Sequence, residues 1–358
     1  MQLEGIFDIP PSKKNSLSWS VDFEIPDAWN IGAIVGPSGC GKTTIARELF
    51  AGQVMSGFDW DDNKSIVDDF PKNMSIKDIC DLLSSVGFSS PPSWVRPFRV
   101  LSNGEQFRVN MARMVAESKD LFVVDEFTSV VDRTVAQIGS AAIAKTIRRK
   151  NKKFVAVSCH YDILDWLQPD WVYQPATGEF FSGRWLHQRP KIELAVYRVH
   201  SDAWQLFRKH HYLDTNLNKA AACFVAFWDG VPVAFSAVLH FPHPTARNMK
   251  REHRTVCLPD YQGVGIGNAL SDFIGALCKG LGFRYLSETS HPAMIRSRAR
   301  SKNWEMKQAP TIRRALTGKT STTAQKWHAE ARKRLVASFE YIGEPLNSVE
   351  AQKIWSYK

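Results

Sequence analysis

Apolar residues along this chain gather in short runs, and the runs change character near the middle. In the first half, NIGAIVG (30–36), DLFVVDE (120–126) and KFVAVSCH (153–160) are unbroken apolar runs, as expected of strands buried on both faces. TTIARELF (43–50) has helical spacing. WVYQPATGEFFSG (171–183) reads as a hairpin turning at Thr177 and Gly178. Strands alternating with helices predict an α/β layer. RWLHQRPKIE (184–193) is polar, proline-bearing and unpatterned, which places a boundary there and divides the chain into domains at 1–187 and 188–358.

Beyond the boundary, ACFVAFWDGVPVAFSAVLHF (222–241) predicts a hairpin closed by Asp229 and Gly230, a pair suited to a tight primed turn. A strand at RTVCLP (254–259), a glycine loop, a helix at GNALSDFIGALCKGLG (267–282) and a strand at RYLSETS (284–290) follow, giving an α+β second domain. The tail is rich in Arg, Lys, Ser and Thr, and TAQKWHAEARKRLVAS (323–338) predicts a basic helix. No internal repeat is present.

At 358 residues, 44% hydrophobic and 23% charged, the chain suits two cores. Its charge is uneven. Residues 1–190 carry 21 Lys+Arg against 23 Asp+Glu, a net of −2, and residues 191–358 carry 25 against 13, a net of +12. A basic half favours a polyanionic partner, DNA or RNA, because Lys and Arg displace counterions from phosphates. The six cysteines are scattered, with no CxxC pair and no zinc spacing, which predicts reduced thiols in a cytoplasmic protein. The sequence has neither a secretion-signal layout nor an apolar stretch long enough to span a bilayer, so no direct membrane insertion is expected.

GPSGCGKTT (36–44) lies between the first strand and the first helix and fits GxxxxGK[ST]. Such a loop turns backbone amides inward as an anion nest. Gly36, Ser38, Gly39, Cys40, Gly41 and Thr44 would cradle the phosphates of ATP, Lys42 would reach the β and γ phosphates, and Thr43 would ligand Mg2+. An acidic pair closes the second apolar strand: Asp125 would hold the Mg2+ shell and Glu126 would polarise the attacking water.

Between these motifs stands LSNGEQFRVNMAR (101–113), and here the chain resembles the ATP-binding cassette ATPases over about residues 17–185. The signature LSNGEQ, the strand LFVVDE, the D-loop SVVD (129–132) and a switch histidine, His160, occur in the family's order. The resemblance implies a head-to-tail homodimer in which Ser102 and Gly104 of one copy meet the γ-phosphate held by the other. Two departures accompany it. The interval from Gly36 to Leu101 is short, implying a trimmed helical segment, the part that transporters use to grip membrane partners. The usual glutamine position falls at VDDFP, where Asp68 or Asp69 replaces it, with Asp68 as a further Mg2+ ligand. An adenine-stacking aromatic is expected upstream, at Phe7 or Trp19.

QGVGIG (262–267) fits [QR]xxGx[GA]. With the order hairpin, strand, loop, helix, strand, residues 192–310 resemble the GNAT acyltransferases. That resemblance implies acetyl-CoA or another acyl-CoA bound by Gln262, Gly263, Gly265 and Gly267, its pyrophosphate at a helix N-terminus. Its pantetheine arm would lie along the strand from Thr255, at Val256 and Leu258. A base is expected among Glu252, His253, Glu288 and His291, with Glu252 preferred. The family's tyrosine acid has no counterpart in HPAMIRSRARSKNWEM. KHHYLD (209–214), SHPAMIRSRARSKNW (290–304) and ARKRLVASFEYIG (331–343) are similar to phage-type GNAT proteins related to the Mom DNA-modification enzymes. Arg296, Arg298, Arg300 and Lys302 would then form a basic run, and Trp304 and Trp327 would stack on an unpaired base.

The expected protein is thus an ATPase joined to an acyl-CoA-dependent transferase acting on nucleic acid. The alternatives are a transporter's ATP-binding subunit with a regulatory C-terminal domain, and a non-catalytic ATP-driven nucleic-acid clamp.

Overall fold

The computed structural model describes residues 23–183, 192–211, 215–242, 248–312 and 335–356. Two compact units emerge, and they do not follow the order of the chain. One contains residues 1–56, 119–129 and 147–187; the other contains 57–118, 130–146 and 188–358. The boundary expected at 187/188 falls among residues 184–191, outside the described residues.

The first unit is built on a six-stranded sheet. Its strands are β1 (Ile31–Val35), β2 (Val54–Met55), β3 (Leu121–Val124), β4 (Lys153–Ser158), β5 (Trp171–Gln174) and β6 (Glu179–Ser182), in the order β2-β3-β4-β1-β5-β6. The first five run parallel and β6 returns antiparallel on β5, forming the expected hairpin. Every residue of β1 is buried, which is what its unbroken apolar run implies. Gly32 is required there, because a Cβ would lie 2.0 Å from the Trp171 ring. Helix α1 (Lys42–Leu49) follows β1 and buries Ile45 and Ala46 in a core with Ile34, Val123, Val155, Val157, Trp171 and Tyr173.

The second unit has a seven-stranded sheet. Its strands are β7 (Ala195–Val199), β8 (Ala222–Trp228), β9 (Val231–His240), β10 (Met249–Cys257), β11 (Arg284–Thr289), β12 (Trp304–Ile312) and β13 (Leu335–Tyr341), in the order β12-β13-β11-β10-β9-β8-β7. The β8–β9 turn is the predicted one: Asp229 and Gly230 both take positive φ, 48° and 78°. Only β10 and β11 pair in parallel. They part early, since the pairing ends at Arg251 and Leu286 while β10 runs on to Cys257. Residues 335–338, expected at the end of a basic helix, belong to β13, which pairs with β11 and β12; residues 323–334 lie outside the described residues. The inward alternation of Ala337, Phe339 and Tyr341 explains the strand.

Five further helices bear on the sites. Helices α2 (Ile76–Ser85) and α3 (Asn103–Glu117) lie in the second unit, as does most of α4 (Arg133–Lys150). Helix α5 (Ile266–Gly280) packs Leu270, Ile274 and Leu277 on the second sheet, and α6 (Pro292–Arg300) follows β11. Gly275 allows α5 to meet Tyr341, whose ring lies 2.5 Å from where a Cβ would stand. Among the described residues no helix is long and apolar enough to cross a membrane.

Candidate functional site

Three motifs meet the C-terminal ends of adjacent parallel strands in the first unit. Gly36 follows β1, Asp125 follows β3, and His160 lies two residues past β4, which separates the other two. Loops at such strand ends are where open α/β sheets bind ligands. The 36–41 loop takes the shape of an anion nest: Gly39 and Gly41 have φ of 81° and 89°, and Gly41 caps α1. Lys42 arches back over it, its Nζ donating to the carbonyls of Gly36 and Pro37 at 2.9 Å each. Ser38 and Thr44 are exposed, Cys40 and Thr43 half-buried.

Asp125 Oδ1 accepts from the Glu126 amide at 2.9 Å, and Glu126 is exposed in the left-handed region with φ 52°. Strain held at a loop of this kind marks a position that its surroundings enforce. A buried residue absent from the sequence expectations ties the three loops together. Ser158 Oγ donates to the Phe127 carbonyl (3.0 Å) and accepts from the His160 amide (3.1 Å), while the Ser158 carbonyl accepts from the Gly36 amide (3.4 Å). A serine ending an apolar strand gave no local signal of that role.

Asp68 and Asp69 belong to the second unit, whereas Thr43 and Asp125 belong to the first. Their carboxylates serve their own turn. Asp68 Oδ2 accepts from Ser65 Oγ at 2.5 Å, and Asp69 Oδ2 accepts from the Asp61 amide at 2.7 Å. Among the described residues no cluster of three or more His, Cys, Asp or Glu side chains has metal-holding geometry. Phe7 and Trp19 lie outside the described residues.

The signature segment opens α3. Ser102 and Glu105 form a capping box: Ser102 Oγ accepts from the Glu105 amide at 3.4 Å, and Glu105 Oε2 accepts from the Ser102 amide at 3.0 Å. Ser102 Oγ also lies 3.1 Å from Glu105 Oε2, and Ser93 Oγ donates to Glu105 Oε1 at 3.0 Å.

In the second unit, the glycine loop caps α5 through Gly265, whose φ is 101° and around which a Cβ would find open space. Gly263 is different. Its φ is 94°, and a Cβ would lie 2.6 Å from the Gly87 Cα. Gln262 braces the loop: Oε1 accepts from the Ser89 amide at 2.7 Å, and Nε2 donates to the Cys257 carbonyl at 2.9 Å. Val256 and Leu258 turn their side chains into an apolar cluster with Trp204 and Phe235, so only their backbones are available to a ligand. Gly267 sits against Cys257, where a Cβ would make an ordinary 3.7 Å contact.

Glu252 is placed differently from the expected base. It is buried beside a bulge in β10, and its oxygens accept from Thr255 Oγ1 (2.6 Å), Ser271 Oγ (2.8 Å), Ser287 Oγ and Arg298 Nη2 (2.9 and 3.0 Å). Burial pushes its carboxyl up, but Arg298 and the hydroxyls of Ser287, Thr255 and Ser271 outweigh that and hold it below its ordinary value. A carboxylate so stabilised and so fully engaged anchors Arg298; it is poorly disposed to take a proton from a substrate. His253 Nε2 accepts from the Asn218 amide at 3.2 Å. His291 is buried with Nε2 3.0 Å from the Ser89 carbonyl, and burial lowers its pKa. Glu288 is exposed on β11.

The expected nucleic-acid contacts are also revised. Arg298 is committed to Glu252, and Arg296 pairs with Asp81, so the basic run is interrupted by internal ion pairs. Trp304 is buried, with Nε1 donating to Asp272 at 2.6 Å and the Arg298 guanidinium 4.3 Å from its ring, and so has no face for a base. Trp327 lies outside the described residues.

Residues 162–299 match the profile of the Acetyltransferase (GNAT) family. The Fe(3+) ions import ATP-binding protein FbpC 3 of Rhodococcus jostii (strain RHA1) is 29% identical over 156 residues, covering 32% of this chain and 45% of that protein. The chain is thus similar to ABC ATP-binding proteins over about a third of its length and to the GNAT family over residues 162–299. The ribosome protection protein VmlR of Bacillus subtilis (strain 168) is 24% identical over 119 residues, 28% of this chain and 22% of that protein. Among solved structures, cbiO1 from Clostridium perfringens, part of the ABC transporter complex cbiONQ, aligns with a TM-score of 0.34 at 17% identity, covering 40% of this chain and 72% of that one. The chain spans less than half the length of the curated relatives it matches. The GNAT match begins at residue 162, ahead of β5 and β6, yet those strands hydrogen-bond in the first sheet and the second sheet begins at β7.

Proposed function

We propose that this chain hydrolyses ATP as a cassette-class ATPase and transfers an acyl group from an acyl-CoA to a nucleic-acid acceptor. The observation that carries the transferase half is the parting of β10 from β11 after Arg251, beside a glycine loop that caps α5. Beyond that point one edge of β10 has no partner in β11, so its backbone groups can pair with the amide-bearing arm of an acyl-CoA as a further strand would. The open space at Gly265 and the α5 N-terminus suit its pyrophosphate.

When bound, the acyl-CoA supplies an activated thioester. The acceptor amine forms the new C–N bond as the C–S bond breaks, and the amine's proton leaves to solvent or a base while the CoA sulfur departs as the thiol. Within this chain, the Glu252–Arg298 pair acts on the cleft by fixing three elements together: the β10 bulge, α5 through Ser271, and β11 through Ser287. At the other site, the 36–41 amides and Lys42 would hold the triphosphate, Thr43 and Asp125 would provide oxygens for Mg2+, Glu126 would orient the attacking water, and His160 lies in the loop at the end of the neighbouring strand. Ser102 and Gly104 would complete that site in a second copy, making the active form a homodimer. The acceptor class rests on charge, the +12 carried by residues 191–358.

The similarity to an iron-import ATP-binding protein favours a second reading, a transporter subunit. Against it, the helical segment that such subunits turn toward a membrane partner is engaged here by the chain's own C-terminal region: Asp81 pairs with Arg296, Ser89 bonds Gln262 and His291, and Arg108 bonds Pro259 and Asp260. Calorimetry with acetyl-CoA, with mass spectrometry of nucleosides from cells expressing the chain, tests the first reading. Acyl-CoA binding and an acylated nucleoside are expected; absence of binding would reject the transferase, and acylation confined to proteins or free amines would reject the acceptor.

A further inference from the structure

Helix α3 touches both candidate ligand positions of the second unit. Its first turn is the signature segment, and the face that runs from Gly104 to Arg108 is turned to the residues just ahead of the acyl-donor loop. These two positions are four apart and so lie one above the other on the helix. At Gly104 the approach is close, a Cβ lying 3.4 Å from Asp260 Oδ1 and 3.0 Å from Val135 Cγ1. At Arg108, wholly buried, Nη1 donates to the Pro259 carbonyl at 3.0 Å and Nη2 to the Asp260 carbonyl at 2.8 Å. The planar fork of the guanidinium makes this a rigid two-point hold. The loop is fixed from its other side as well, by the Ser89 amide on Gln262 and by the close packing of Gly263 on Gly87.

We propose that Arg108 positions the acyl-donor loop and thereby makes acyl-CoA affinity depend on nucleotide held at Ser102 and Gly104. The inference rests on the function proposed above and adds a coupling between its two halves. Two states differ in named contacts. In the one seen here, Glu105 accepts from the Ser102 amide and Asp260 lies beside Gly104. In the other, triphosphate oxygens take the donors of Ser102 and Gly104, and their negative charge repels the carboxylates of Glu105 and Asp260. Recoil of the α3 first turn from that charge, through Glu105, carries Pro259, Asp260 and the start of the 262–267 loop with it, because Arg108 ties their backbone to α3. Each ligand therefore weakens the other, and by linkage the factor is the same in both directions.

Acetyl-CoA is titrated calorimetrically into the full chain carrying Glu126→Gln, with and without saturating Mg-ATP. The expected result is a dissociation constant raised at least about 5-fold by ATP, the lower end of ordinary allosteric coupling, with a matching rise for ATP in saturating acetyl-CoA. In Arg108→Lys, whose ammonium cannot reproduce the two-point fork, the ratio falls to about one whatever the separate affinities. An unchanged or tightened acetyl-CoA affinity in the ATP-bound protein, or a ratio that survives Arg108→Lys, overturns the coupling and leaves the two activities standing. Failure to bind acetyl-CoA at all, or ATP at all, overturns the proposed function itself and this inference with it. The comparison within Glu126→Gln needs no change at a buried position, so it remains decisive even where Arg108→Lys does not fold.

Discussion

The two glycine loops, 36–41 and 262–267, look alike in sequence and differ in what surrounds them. Both follow a strand, open a helix and carry glycines at positive φ. In the first, the Lys42 ammonium lies over the loop's own carbonyls and a Cβ at Gly39 would meet nothing within 4 Å. In the second, one glycine stands in open space while another is wedged against Gly87, with a buried arginine holding the approach. The first loop takes its shape from its own glycines and touches the rest of the chain through the Gly36 amide and the Ser158 carbonyl. The second, braced from outside, depends on residues as far away as Gly87 and Arg108, which makes it a place where a second site can act.

The largest effect is expected beside the first loop, at Glu126. Glu126→Gln should lower phosphate release by about 100- to 10,000-fold while ATP binding persists, the range associated with losing a positioned base; turnover at the wild-type rate would remove Glu126 from the reaction. Next is the buried Glu252–Arg298 pair. Arg298→Met leaves the Glu252 charge buried, and should cost about 3–5 kcal/mol in urea unfolding, with the Glu252→Gln, Arg298→Met double variant recovering part of it. This pair also sets a pH dependence. Because the folded Glu252 carboxyl lies below its ordinary value, its contribution is full above the unfolded carboxylate range and is lost as pH falls through the folded value. Acid unfolding should therefore be shallower in the double variant.

A smaller effect separates the glycines directly. Gly265→Ala should cost only the left-handed strain, about 1–2 kcal/mol, and Gly263→Ala should cost more, since its Cβ must also displace the Gly87 backbone. Equal thermal shifts would show that the wedge contributes nothing. Smallest is Ser102→Ala, which removes the α3 cap and should cost about 1 kcal/mol in unfolding experiments.

Much of the first site was legible because its parts are local. The GPSGCGKT spacing and the apolar run ending in Asp125 and Glu126 each state their geometry within a few residues, and so does the Asp229-Gly230 turn in the second unit. Misjudged residues were those whose partners lie far along the chain. Glu252 invited a catalytic role because it lies near the expected cleft; its partner Arg298 is 46 positions away. Trp304 and Arg296 read as surface groups until Asp272 and Asp81 claimed them. Ser158 carried no signal at all, since a serine at a strand end is ordinary until three loops converge on it.

By itself the sequence determined that this chain has two sheets with different chemistry, because strand period, turn residues and the phosphate loop are short-range properties of consecutive residues. Only the tertiary structure decided which charges are spent internally, and that helix α3 and the 262–267 loop belong to one compact unit. Burial and pairing depend on groups that the chain brings together over separations of 32 to 215 positions, and no local pattern encodes such distances.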